Sequence, residues 1–332
     1  MTRANDNTRI QTQPGDIFDT LREGFAFVAA QAENVYIDNA RLAAFTAVLP
    51  SKPPGNVLDV THHYVGRPED TAAYILTLDA INFGSGYRPH LVDEGWQMVG
   101  NSLYFTISTR LKEWYEQRGP LSARKLGEAE PDLVASILGL DISKKWSAEF
   151  AGICARNMQE LGGLIGEGFD GYFTGLIEEA HGSAAYVVET LARLPNYRDI
   201  HSYKGRDVAF LKRAQITAAD LHVAFARLGK TLFDDIDRLT MFPDNAVPHA
   251  LHVEGVLAYA PGLSSRIASG HEIASGAAEE VEIRACAAHA VELIAAQKGI
   301  KAMDVDHILW HRSEEDPRYL ERPTHRTISR FY

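Results

Sequence analysis

Asn101-Ser-Leu-Tyr-Phe-Thr-Ile-Ser-Thr-Arg-Leu-Lys-Glu-Trp-Tyr-Glu-Gln-Arg-Gly-Pro120 carries apolar residues at Leu103, Tyr104, Ile107, Leu111 and Trp114. Steps of three and four set these side chains along one stripe of an α-helix, and Gly119-Pro120 is a helix-ending pair. The same period recurs along most of the chain. Asp16 is placed to cap a helix through Ile17, Leu21, Phe25 and Val28, and Asp38 a second through Leu42, Phe45 and Leu49 before Pro50. Glu69-Asp70-Thr71 opens a third, with Tyr74, Ile75 and Leu78 facing inward. Further helices are expected over 131–138, 147–165, 182–194, 207–228, 248–259, 277–297 and 303–311, with loops at 50–54, 84–89, 195–205 and 261–276. Strand signals are few, and the tail Thr327-Ile-Ser-Arg-Phe331 can pair as one. The expectation is a mainly α fold with few short strands. It has a disordered lead over 1–12 and a single helical body over 13–332, open to division into two lobes.

At 332 residues and 45% hydrophobic content, the chain can bury a substantial core. Cys154 and Cys286 are too few for a disulfide framework, which points to a reducing, cytoplasmic setting. No run approaches the roughly 20 apolar residues of a membrane span. A net charge of −11 argues against a general nucleic-acid binder, which needs a basic face, but leaves room for a small phosphorylated ligand held by one or two cations. The expectation is a monomer that meets a small molecule and neither nucleic acid nor membrane.

The densest chemistry lies in Thr231-Leu-Phe-Asp-Asp-Ile-Asp-Arg-Leu-Thr-Met-Phe-Pro-Asp-Asn-Ala-Val-Pro248. Asp234, Asp235, Asp237 and Asp244 stand among Leu232, Phe233, Ile236, Leu239, Met241 and Phe242, a density that implies burial. Asp244 differs from the other three because it sits on a turn between Phe242-Pro243 and Val247-Pro248, a rigid mount suited to a catalytic or ligand-gripping group. The other three are expected to cap or pair.

Four other segments carry polar groups of interest. His62-His63, after Asp59, suggests a polar pocket contact, or a metal site for which no HxxxH or CxxC partner stands nearby. Asp79-Ala-Ile-Asn-Phe-Gly-Ser-Gly-Tyr-Arg-Pro89 ends a helix at two glycines that permit close backbone approach, with spacing unlike a phosphate-binding loop. Within 207–221, Lys212 and Asp220 lie on related faces of an expected amphipathic helix, so Lys212 is either an ion-pair partner, an anion ligand or part of a solvated face. In Val305-Asp-His-Ile-Leu-Trp-His311, Asp306 and Trp310 share a face and make a platform for a flat polar heterocycle, or an ordinary core tryptophan.

Taken together, Leu78-Asp-Ala-Ile-Asn-Phe83, Leu211-Lys-Arg-Ala-Gln-Ile216 with Ala219-Asp-Leu221, Leu239-Thr-Met-Phe-Pro-Asp244 with Val247-Pro248, Glu280-Val-Glu-Ile-Arg-Ala-Cys286, Asp306–Trp310 and His325–Tyr332 resemble the queuosine salvage protein family, the queuosine 5′-phosphate N-glycosylases (hydrolases). The matches run in order from about residue 60 to the end. The resemblance implies a fold similar to helix-rich DNA glycosylases, and cleavage of the bond between ribose and the deazaguanine base queuine, releasing queuine for tRNA modification. It implies neither metal nor cofactor. It makes Asp244 the catalytic carboxylate beside an oxocarbenium-like transition state. Phe242 would pack on the base, Asp306 and His307 would contact queuine, His63 would contribute from the N-terminal half, and Lys212 would counter the 5′-phosphate. Where the family pattern often has an acid, able to pair with the secondary ammonium of queuine, this chain has His311; His307 stands where tyrosine is frequent. The competing expectations are a base glycosylase acting on a polymer, disfavoured by the charge, and a non-catalytic queuine carrier.

Overall fold

In the computed structural model, which describes residues 16–53, 58–100 and 102–332, sixteen α-helices carry the chain and strands are short, so the fold is mainly α. Helix α1 (Ile17–Gln31) is capped by Asp16, which accepts from the Phe18 N–H at 2.9 Å. Strand β1 (Val35–Ile37) leads into α2 (Asn39–Val48), capped by Asp38. Next come α3 (Pro68–Ile81), α4 (Arg88–Asp93), α5 (Leu103–Arg118), α6 (Ala123–Gly127), α7 (Pro131–Leu138), α8 (Lys145–Gly168), α9 (Phe173–Glu179) and α10 (Ala184–Leu191). Strands β2 (Ile200–Tyr203) and β3 (Arg206–Ala209) form a hairpin before α11 (Lys212–Ala226). The chain continues through α12 (Ala246–Val253), β4 (Leu257–Tyr259), α13 (Pro261–Ala268), α14 (Ala278–Lys298), α15 (Ala302–Glu315) and α16 (Pro317–Leu320). β4 pairs antiparallel with β1, Val35 opposite Tyr259.

Three helices form the interior. In α3 every residue from Thr71 to Ile81 is buried; α11 and α14 are buried on more than one face. α14 is rich in alanine, which lets α1, α2, α12 and α15 approach it closely, while α3 packs on α5, α8, α9 and α11. Each fully buried Leu, Ile or Phe contributes roughly 1.5–3 kcal/mol. That apolar surplus offsets the interior charges Glu280, Glu282 and Arg284, all at 1% exposure or less.

Several expected boundaries are corrected. The expected helix 207–228 begins with a strand: Lys204 and Gly205 both adopt positive φ, making a two-residue hairpin turn. The chain reaches α11 only after Leu211, whose φ of 49° is the left-handed conformation, costing a non-glycine residue about 1–2 kcal/mol. The amphipathic reading of that helix fails too, since Lys212, Arg213, Gln215 and Asp220 are all buried. The expected helix 248–259 spans Ala246–Val253 and then becomes β4. The expected loop 261–276 contains α13, with Pro261 in its first turn, where the missing N–H costs nothing. The tail makes one isolated parallel bridge, Glu272 to Arg326, in place of a strand. The expected disordered lead, residues 1–12, lies outside the described residues.

Among the described residues, no helix is long and apolar enough to cross a membrane. Cys154 and Cys286 are both buried and unpaired.

Candidate active site

A cavity of about 500 Å³ opens where α4, α5, α11, α12, α15 and the closing tail converge. Its size is that of a site enclosing one nucleotide-scale ligand. Asp244, Phe242, Lys212, Asp306 and His307 all stand in its wall, although 95 residues separate Lys212 from His307 (307 minus 212).

Three helices pin the segment that carries Asp244. From α11, the Gln215 carbonyl accepts from the Thr240 N–H and Oγ1, both at 3.0 Å. From α15, Asp306 Oδ1 accepts from the Phe242 N–H at 2.9 Å. From α14, Arg284 Nε donates to the Pro243 carbonyl at 2.9 Å. Asp244 then turns its Oδ1 onto the first N–H groups of α12, Ala246 at 2.8 Å and Val247 at 3.3 Å. A carboxylate on a helix N-terminus is held in place and favoured in its charged form.

The acids of this wall are raised to different extents. Burial raises the Asp244 carboxyl above the usual carboxylate range, while Lys212, the two α12 amides and Arg284 pull it back. Asp306 is pushed up further, by burial and then by the neighbouring negative charge of Asp244. Two neighbouring acids raised to different extents are suited to separate roles. Beneath them, burial also raises Asp79 and Asp220, each with one oxygen left unpartnered. Burial lowers the pKa of Lys212, opposed first by Asp244 and then by Asp79.

Aromatic groups form the remaining walls. The Phe242 and His307 rings lie 5.9 Å apart, and burial lowers His307 to about 4, leaving a neutral imidazole. Trp310 meets Tyr104 edge-on at 5.8 Å. His63 stands outside the wall, behind Tyr104: its Nε2 bonds the Tyr104 hydroxyl at 2.8 Å and its Nδ1 the Asp59 carbonyl at 2.9 Å. Both ring nitrogens are thus occupied, and among the described residues no three His, Cys, Asp or Glu side chains group to hold a metal ion. His311 is likewise outside the wall, its Nδ1 3.6 Å from Glu315.

The other three carboxylates of the 231–248 segment lie away from the cavity. Asp234 and Asp237 are exposed, so the apolar density around them buries its own side chains and not the acids. Asp235 caps α10, accepting from the Ala185 N–H and the Ser183 hydroxyl at 3.1 Å each, and Asp237 pairs with Lys301 at 2.5 Å.

Sequence reasoning missed several wall residues. Glu314 lies one turn beyond His311 on α15, raised by burial, with Arg88 acting the other way. Tyr104 lines the cavity from what reads as a core helix stripe, its hydroxyl bonded to His63. The tail supplies His325, Arg326, Thr327 and Tyr332. It is seated by the Gly84 N–H, which donates to the Tyr332 carbonyl at 2.9 Å. It also lies so close to Gly86 that a Cβ there would stand 2.1 Å from the Thr327 carbonyl oxygen. The close approach expected of the 84–86 glycines is therefore to the chain's own tail. Arg88, Arg322 and Arg326 line the outer part, the last two exposed.

Comparison with known proteins matches residues 62–332 to a family model described as queuosine salvage protein. The chain is 36% identical to a queuosine 5′-phosphate N-glycosylase/hydrolase of Sphaerobacter thermophilus, over 96% of this chain and 99% of the relative. Proteins of the same description from Dictyostelium discoideum and Bos taurus are 32% and 28% identical, each over 83% of this chain and over 82% and 83% of their own lengths.

Proposed function

This chain belongs to the queuosine salvage protein family, and from that premise we propose that it hydrolyses queuosine 5′-monophosphate, releasing queuine. Asp244 is the catalytic carboxylate. As the bond from ribose C1′ to the base nitrogen breaks, positive charge gathers on the sugar, and an ionised Asp244 beside it stabilises that charge. Water adds its oxygen to C1′ and gives up one proton to Asp244, the base leaves with the proton that Asp306 donates, and transfer of the proton from Asp244 to Asp306 through solvent restores both carboxyls. Asp306, the more strongly raised acid, donates from its neutral form to the base, and Phe242 and His307, packed on each other, offer the base one aromatic wall.

Lys212 fits Asp244 and the ribose better than the 5′-phosphate, because Asp244, Asp79 and Asp306 already surround its ammonium. Arg88, Arg322 and Arg326 suit the phosphate dianion at the outer part of the cavity. His63 acts through Tyr104, whose hydroxyl it orients. With His311 turned toward Glu315, Glu314, the second acid that α15 gives the wall beside Asp306, is the candidate to meet the ammonium of queuine.

The observation that carries this reading is that Asp244 and Asp306 stand together in one aromatic-walled cavity, both raised by burial and Asp306 the further. Asp244→Asn keeps an oxygen for the Ala246 and Val247 amides, so the turn survives while the charge is removed. Queuine release followed by chromatography is expected to fall by at least about 10³-fold, with binding of the mononucleotide retained in calorimetry. Release at more than a tenth of the wild-type rate rules Asp244 out.

A further inference from the structure

We propose that Arg284 is the positioning residue for Asp244. It sets the catalytic turn from behind and joins it to the closing tail. Arg284 is at 0% exposure on α14, and five groups converge on it. Its Nε donates to the carbonyl of Pro243, the residue immediately before Asp244, at 2.9 Å. Nη1 donates to Glu280 at 3.1 Å and to Asp199 at 3.3 Å, and Nη2 also bonds Asp199. The flat guanidinium is sandwiched between the rings of Phe210, at 4.0 Å, and Tyr332, at 4.3 Å.

Each partner belongs to a different part of the site. Phe210 and the strained Leu211 lead directly into Lys212. Asp199 stands at the start of the hairpin, tied to His201 at 3.0 Å. Glu280 receives the Tyr332 hydroxyl at 2.8 Å, and Tyr332 ends the tail that lines the cavity. One side chain therefore fixes the carboxylate's turn relative to both the lysine opposite and the tail wall.

Stability alone does not account for this cluster. A buried ion group of this kind is commonly no more stable than well-packed neutral residues of equal volume, whereas its directional bonds define one geometry. Lysine cannot substitute, because a point charge on a flexible stem cannot reach Pro243, Asp199 and Glu280 together while lying flat between two rings. A displacement of about 1 Å at a reacting group costs on the order of 10²-fold in rate.

The proposal rests on Asp244 being the catalytic carboxylate, so Asp244→Asn is measured alongside it. Two further variants are used: Arg284→Lys, and the neutral triple variant Arg284→Met/Asp199→Asn/Glu280→Gln, which leaves no uncompensated interior charge. The expected result on queuosine 5′-monophosphate is a kcat lowered ten- to a hundredfold in each, with KM within threefold of wild type and folding verified by circular dichroism. Gly162→Ala, which disturbs helix packing away from the cavity, is expected to lower the melting temperature without that kcat loss. If Asp244→Asn is inactive but either folded Arg284 variant turns over at the wild-type kcat, the positioning role is wrong. If Asp244→Asn stays active, the failure belongs to the assignment of Asp244.

Discussion

Lys212 and Asp244 set each other's charge across the cavity floor. Burial raises the acid and lowers the base, and each is the other's leading electrostatic correction. On the proposed mechanism activity requires ionised Asp244, so it is expected to be lost as pH falls through that group's pKa. Removing the lysine charge removes the attraction that lowers this pKa. Lys212→Met is therefore expected to move the acid limb of the kcat–pH profile to higher pH, and an unmoved limb would separate the two residues. These roles were legible in sequence only in part. Asp244 stood out because Phe242-Pro243 and Val247-Pro248 bracket it, and a turn built from prolines is a local signal. Glu314 was not legible, because its place in the wall depends on α15 meeting α5 and α4, contacts more than 200 residues apart. The opposite error befell Asp234 and Asp237, whose apolar neighbours suggested burial while the chain turns the carboxylates outward.

At the scale of elements, local signals predicted most of the long helices and failed where a signal was shared. Residues 131–138 form a helix as expected because Pro131 starts it and Gly139, at φ 64°, ends it. In 200–211 the alternation of the hairpin runs straight into Phe210-Leu211, whose apolar character continues the helical pattern of 212–221. Only the left-handed backbone at Leu211, a conformation that a leucine side chain does not signal, divides them. Close helix packing is equally invisible in sequence. In α8 the adjacent glycines Gly162 and Gly163 look alike, yet a Cβ on Gly162 would sit 2.3 Å from the Gly127 backbone nitrogen of α6, and one on Gly163 would meet nothing within 4 Å. Gly162→Ala is expected to destabilise the protein by about 1–3 kcal/mol, and Gly163→Ala to stabilise it by roughly 0.5–1 kcal/mol. Thermal denaturation of the pair checks this, and equal shifts in one direction would contradict the packing of α6 on α8.

For the whole molecule, a net charge of −11 and a cavity of about 500 Å³ favour one small, partly anionic ligand over a polymer. Arginines at the outer part and carboxylates within suit a molecule with a phosphate at one end and a cationic base substituent at the other. The tail completes the wall, so the segment farthest along the chain serves the same cavity as α4 and α5. The most direct measurement presents wild-type protein with queuosine 5′-monophosphate and, separately, with intact tRNA containing queuosine, and follows free queuine by chromatography. Catalytic release from the mononucleotide and none from the tRNA is the predicted result. Binding of the mononucleotide without turnover, or release from the tRNA alone, would contradict it.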